Sequence, residues 1–128
     1  MARHLISGCA GFIGSHLAKR LIMAGDEVFG IDNLDCGFME NIADLMEDPK
    51  FHFRNADIRD DLCCDNIHTT IDYVWHFAAI GEVYRCRDNP EEALDVNVNG
   101  TLNILRQAKK LRAKHFFFAD TSAEYDSF

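Results

Sequence analysis

Basic residues are in deficit in this chain of 128 residues. Lys and Arg number 13 against 21 Asp and Glu, which leaves a formal net charge of -8 and a pI of about 5.1. That balance argues against a nucleic-acid backbone or an anionic membrane surface as partner. Paired cysteines are also missing. Cys9, Cys36, Cys63, Cys64 and Cys86 are odd in number and form no C-x-x-C pair, so neither a disulfide framework nor a zinc site is expected. No apolar run approaches membrane-spanning length, and Met-Ala-Arg-His leads straight into a short strand without a signal peptide. Repeats, linkers and low-complexity segments are absent too. Together these absences leave one expectation, a cytoplasmic protein with reduced thiols and no metal.

What is present is an alternation of short apolar runs with longer amphipathic ones, the pattern of a parallel sheet covered by helices. Arg3 to Ser7 reads as a first strand. Ile13, Leu17, Leu21 and Ile22 recur at helical spacing, and Gly25 closes that helix. Strands follow at Glu27 to Asp32, Lys50 to Asn55, Tyr73 to Ala78 and His115 to Ala119. Between them, Phe38 to Met46 has a helical period ended by Pro49, and a short helix is expected around Asp61 to Ile67. Asn89-Pro90-Glu91-Glu92 joins a cap residue, a first-turn proline and a glutamate able to reach back. It opens a long helix carrying Leu94, Val98, Leu102, Leu105 and Leu111. The fold class expected is α/β, a Rossmann-type three-layer α/β/α with a parallel sheet of about five strands in the order 3-2-1-4-5, truncated.

Ser7-Gly8-Cys9-Ala10-Gly11-Phe12-Ile13-Gly14 lies between the first strand and the first helix. There Gly8 permits a tight turn, Gly11 lets backbone approach a pyrophosphate, and Gly14 lets helix and strand pack closely. The helix start offers unpaired N–H groups and the positive end of its dipole. Asp32 ends the second strand, 21 positions after Gly11 (32 minus 11). A carboxylate there accepts hydrogen bonds from the adenosine ribose and repels a 2′-phosphate, so NAD is expected rather than NADP.

Gly-Cys-Ala-Gly-Phe-Ile-Gly-Ser-His-Leu, Gly-Ile-Asp-Asn-Leu, Ala-Asp-Ile-Arg-Asp, His-Phe-Ala-Ala and Asn-Val-Asn-Gly-Thr occur in that order. Together they resemble the N-terminal part of the extended short-chain dehydrogenase/reductase family, the NAD-dependent nucleotide-sugar epimerases and dehydratases. UDP-glucose 4-epimerases and UDP-glucuronate-acting enzymes carry the likeness furthest. The resemblance implies that Phe12 and Ile13 lie against the pyrophosphate through their backbone, and that Asp32 and Asn33 contact the ribose. It implies adenine contacts from Asp57 and the Ile58 backbone. Phe77, Ala78 and Ala79 would pass under the cofactor, with Asn97 on the long helix beneath its nicotinamide side. Other readings stand beside these. Asp57 can simply open a turn, Ala78 and Ala79 can reflect tight packing, and Asn97 can be a satisfied buried amide. His76, inside a buried strand, reads as a core histidine rather than a base.

Asp120-Thr121-Ser122-Ala123-Glu124-Tyr125 resembles the family segment in which Ser or Thr stands four positions before Tyr-Gly. On that register Thr121 is the catalytic hydroxyl that bonds a sugar oxygen, Tyr125 is the structural tyrosine, and Asp126 replaces the glycine. Dehydratases of the glucose 4,6-type carry Asp-Glu after that threonine. Ser122 and Ala123 stand there instead, with Glu124 one residue out of register, which favours an epimerase or a decarboxylase-like relative. The family's Tyr-x-x-x-Lys pair, whose tyrosine serves as base, does not occur after Tyr125.

Residues 1–128 are therefore expected to form one incomplete NAD-binding domain without a substrate domain, able to bind NAD and catalyse nothing. The parent reaction implied is epimerisation of a nucleotide sugar through a 4-keto intermediate. A stand-alone NAD-binding or sensing module, a structural fragment, and a decarboxylase or dehydratase fragment are the alternatives. A homodimer through the helix near Pro90 is implied by the resemblance, and truncation is expected to expose apolar surface near Phe116 to Phe118.

Overall fold

In the computed structural model, which describes residues 1–125, five strands form one parallel sheet. They are β1 (Arg3–Ser7), β2 (Glu27–Asp32), β3 (Phe51–Asn55), β4 (Tyr73–His76) and β5 (His115–Phe118). Their order is β3-β2-β1-β4-β5, as the alternation of runs implies. The chain steps outward from β1 to β3 and then crosses back to β4. The strand order thus reverses beside β1, where open α/β sheets form a crevice at the carboxyl ends of their strands. Register sets those ends level, with Ser7 opposite both Ile31 and His76.

Both faces of the central strands are covered, which is why β1 and β2 read as nearly continuous apolar runs. On one face Ile6, Val28 and Phe51 pack with Cys9, Ala10, Ala18, Ile42 and Leu45. Helix α1 (Phe12–Met23) supplies Ala18 and the flanking Leu17, Leu21 and Ile22. On the other, Leu5, Phe29, Ile31 and Val74 meet Ile58, Cys63, Cys64, Ile67, Ile71, Ile104, Ala108 and Leu111.

β3 and β5 are each one residue shorter than expected, lacking Lys50 and Ala119, and three further elements differ more. Phe38 to Met46 forms no α-helix but two 3-10 turns, Met39–Asn41 and Ala43–Leu45. The Phe38 N–H and the Asn41 side-chain amide both donate to the Ala10 carbonyl, at 3.1 and 2.8 Å. Those two anchors, with Ile42 and Leu45 buried three residues apart, suit a tighter winding than 3.6 residues per turn. The short helix expected at Asp61 to Ile67 is a run of turns. There Asp60 Oδ1 accepts from the Leu62 N–H at 2.9 Å, the local competition by which aspartate favours turns. β4 stops at His76, two residues early, because the Phe77 N–H still reaches Ser7 but the chain then leaves the sheet.

A short helix absent from the sequence reading, α2 (Val83–Asp88), precedes α3 (Pro90–Leu94). Asn89 caps α3 as expected, accepting from the Glu92 N–H at 3.3 Å. The long helix then widens into a π-helical stretch, Asp95–Gly100, before continuing as α4 (Thr101–Lys110). Its inner face is Gly100, Asn103, Ile104, Gln107 and Ala108, whereas Leu94, Val98, Leu102 and Leu105 are exposed. At the sheet edge Phe117 and Phe118 are exposed, while Phe116 packs on the core. No helix among the described residues is long and apolar enough to cross a membrane, and no group of three or more His, Cys, Asp or Glu among them is placed to hold a metal.

Candidate functional site

The carboxyl ends of the strands carry two adjoining troughs with a common floor. The first is lined by Gly8, Gly11, Asp32, Asn33, Asp57, Ile58, Phe77, Ala78 and Ala79 together with residues of the β2 loop and α3. The second is lined by His76, Asn97, Thr101, Phe118, Asp120 and Thr121. Residues Phe77, Ala78, Ala79 and Ile80 border both.

The glycine loop is held by backbone. Gly8 and Cys9 donate to the Ile31 carbonyl at 2.8 and 3.3 Å, and Gly11 donates back to Gly8 at 3.2 Å. Gly8 has φ +76, and a Cβ there would stand 2.8 Å from the Ala78 nitrogen, so loop and trough floor touch only because the side chain is missing. A Cβ on Gly14 would press into the Gly8 carbonyl and come within 2.9 Å of Cys9 Cα. Helix α1 starts immediately after Gly11 with no side-chain cap on its first amides. Phe12 and Ile13 occupy that first turn with exposed side chains, so only their backbone faces the loop.

Asp32 is 7 % exposed. Its Oδ2 accepts from the Ala10 N–H at 2.9 Å and its Oδ1 from the Leu34 N–H at 2.8 Å. A carboxylate has about four acceptor positions, so each oxygen keeps one for a ligand. Gly37 lies over this carboxylate, since a Cβ there would be 2.9 Å from both oxygens. Across the trough Asp57 is gripped by Arg59, with Nε 3.0 Å from Oδ1 and Nη2 2.9 Å from Oδ2, and by the Asn33 amide at 3.3 Å. The Arg59 hydrogen bonds hold the Asp57 carboxyl well below the usual range, at about 2. Arg59 also pairs with Asp95 at 3.0 Å. Ile58 tucks against Gly100, and its carbonyl accepts from the buried Asn103 amide at 2.7 Å.

Beside the shared floor runs a polar chain, buried at Ser7 and His76 and bordering the second trough at Thr101. The Ala78 N–H lies 3.4 Å from Ser7 Oγ, which lies 2.6 Å from His76 Nδ1. His76 Nε2 is 2.8 Å from Thr101 Oγ1, whose proton goes to the Asn97 carbonyl at 2.6 Å. One proton arrangement satisfies every member: Ser7 donates to Nδ1, and Nε2–H donates to Thr101. Burial holds the imidazole neutral and lowers its pKa to about 4, so His76 is a core histidine at the border of the second trough. The Asn97 amide bonds the Ile80 backbone in both directions, at 2.8 and 2.9 Å. It is satisfied, and it also fixes the trough floor.

A sequence model of the NAD dependent epimerase/dehydratase family matches residues 4–128. The chain belongs to that family. UDP-glucuronic acid decarboxylase 1 of Arabidopsis thaliana is 36% identical over 123 residues, covering 96% of this chain and 27% of that protein. UDP-glucose 4-epimerase of Halalkalibacterium halodurans is 37% identical over 123 residues, covering 94% of this chain and 35% of that protein. A double mutant of the dTDP-glucose 4,6-dehydratase DesIV of Streptomyces venezuelae, crystallised with NAD, superposes with a TM-score of 0.88. It is 32% identical and shares 98% of this chain and 41% of its own. The chain thus spans about a quarter to two-fifths of the length of the family members it matches.

Among the residues the family resemblance nominates, Gly8, Gly11, Asp32, Asn33, Asp57, Ile58, Phe77, Ala78 and Ala79 converge on the first trough. Asn97 and Thr121 border the second. Gly14, Phe12 and Ile13 shape the loop without lining either. Tyr125 is exposed at the end of a 3-10 turn, Ser122–Tyr125, and Asp126 lies outside the described residues. Sequence reasoning missed Gly37, Asn41, Arg59 and Asn103. Arg59 had a signal, a base two residues from Asp57. Asn103 had one too, an amide on the inner face of an apolar helix.

Proposed function

We propose that residues 1–128 form the NAD-binding domain of a nucleotide-sugar epimerase, with the adenosine half of NAD in the first trough and the nicotinamide and sugar at the second. The observation that carries this reading is the meeting, in one trough, of the Asp32 carboxylate with the bare Gly8–Gly11 loop that leads into the uncapped α1 terminus. Amides and dipole suit the diphosphate, and the two remaining acceptor positions on Asp32 suit a ribose diol. A 2′-phosphate would meet that carboxylate instead, which favours NAD over NADP. Asp57 and the Ile58 backbone take the adenine edge, and Ala78 and Ala79 admit the cofactor by being small.

Bound NAD would supply a hydride acceptor for a sugar alcohol. The chain's own contribution is to orient it and to present the Thr121 hydroxyl to a sugar oxygen. That chemistry also needs a base to take the proton of the sugar hydroxyl. Decarboxylation is the second reading, supported by the Arabidopsis thaliana relative and by Ser122 and Ala123 in place of Asp-Glu. A homodimer is proposed through the exposed face of Leu94, Val98, Leu102 and Leu105. Isothermal titration with NAD and NADP tests the cofactor site. Saturable binding that prefers NAD and is lost in Asp32→Ala supports it, and absence of binding to the intact chain refutes it.

A further inference from the structure

Arg85, on α2, ties together residues from two elements that line the first trough, the loop after β2 and α3. Its Nη1 lies 2.6 Å from Asp35 Oδ2 and 3.6 Å from Cys36 Sγ, both on the loop after β2. Its Nη2 and Nε take Glu92 of α3 as a fork, at 2.9 and 3.2 Å. Asp35, Cys36 and Glu92 line the trough, whereas Arg85 does not. The guanidinium therefore joins the two walls from outside the space they enclose. The wall reached through Asp35 also carries Asp32 and Asn33, and the Asp35 N–H is itself fastened to Asn33 Oδ1 at 3.0 Å.

We propose that Arg85 is a positioning residue that straps the adenosine end of the trough, so that a bound dinucleotide leaves only when the Arg85–Asp35 pair opens. This rests on the cofactor reading above. Two physical features support a strap over a simple surface pair. The guanidinium is planar and engages two carboxylates at once, so it fixes the separation of two elements rather than the position of one. The flanking carboxylates, Asp35 and Glu92, face a trough suited to an anionic ligand, and a cation between them offsets their repulsion. Lysine would keep that charge but lose the fork, which separates holding from neutralising.

The test follows dissociation of NADH, chased with excess NAD and read by nicotinamide fluorescence, in the wild-type chain, Arg85→Ala, Arg85→Lys and Asp35→Asn. All three variants are expected to release NADH faster, Arg85→Ala by about fivefold, the scale of a partly exposed ion pair. The exposed Cys36 thiol reports the same opening without ligand. Its labelling by a maleimide, assigned with Cys36→Ser and corrected for each variant's thiolate fraction because the Arg85 charge favours the thiolate, is expected to quicken in Arg85→Ala and Arg85→Lys. Unchanged release and labelling in both Arg85 variants overturns the strap alone. So does slower association in Arg85→Ala with wild-type behaviour in Arg85→Lys, which would make the residue a neutralising charge. A wild-type chain that binds no NADH overturns the cofactor reading and the strap with it.

Discussion

Acid is expected to weaken this fold through His76. The imidazole is buried between Ser7 and Thr101 and kept neutral, with its pKa lowered by burial from 6.5 to about 4. Between those two values the unfolded chain binds a proton that the folded chain refuses. Stability is therefore intact above pH 6.5 and falls as pH drops towards 4. Each pKa unit corresponds to about 1.4 kcal/mol, so the full loss across that window is about 3 kcal/mol, a large share of a small domain's stability. Urea unfolding at pH 7, 6, 5 and 4 measures it, with His76→Gln as the reference. Every other residue is the same in both proteins, so their difference isolates His76. Glutamine can still meet Ser7 and Thr101 but cannot take up the proton. The variant is expected to be weaker at pH 7 and to lose less stability on acidification. Parallel stability curves for the two proteins would refute the assignment of a neutral, proton-refusing imidazole.

Two further outcomes follow from packing. Gly14→Ala drives a methyl into the Gly8 carbonyl and the Cys9 Cα; backbone cannot yield as a side chain can, so a loss of about 2–3 kcal/mol is expected in urea unfolding. Leu102→Glu with Leu105→Glu alters only the exposed side of α4. Sedimentation velocity is expected to show a dimer for the parent chain and a monomer for this variant, while a variant that still dimerises would place the interface elsewhere.

The sheet was legible in the sequence because β1 and β2 are buried on both faces and leave few alternatives to apolar side chains. The glycine loop was legible because close backbone approach selects one residue type at Gly8 and Gly14. Segments whose winding depends on distant partners were not. Phe38 to Met46 has a helical apolar period, yet its geometry follows from two bonds to the Ala10 carbonyl, 31 residues away in the case of Asn41. The long helix showed its leucines clearly, but Leu94, Val98, Leu102 and Leu105 mark its outer side. The inner side is written in Gly100, Asn103, Ile104 and Gln107, two of which are polar and satisfied only in three dimensions. The ion pairs of Arg85 with Asp35 and Glu92 leave no periodic trace either, whereas Arg59 showed at least its nearness to Asp57.

The strip Phe77 to Ile80 is suspended between two supports. At one end Phe77 and Ala78 hang from Ser7, and at the other Ile80 is gripped by Asn97. His76 and Thr101 link the supports to each other. A ligand that stiffens one end of such a strip leaves less disorder to be lost when a second ligand settles at the other. Ligands in the two troughs that both stiffen this strip would be linked, and the factor by which the first strengthened the second would equal the factor by which the second strengthened the first.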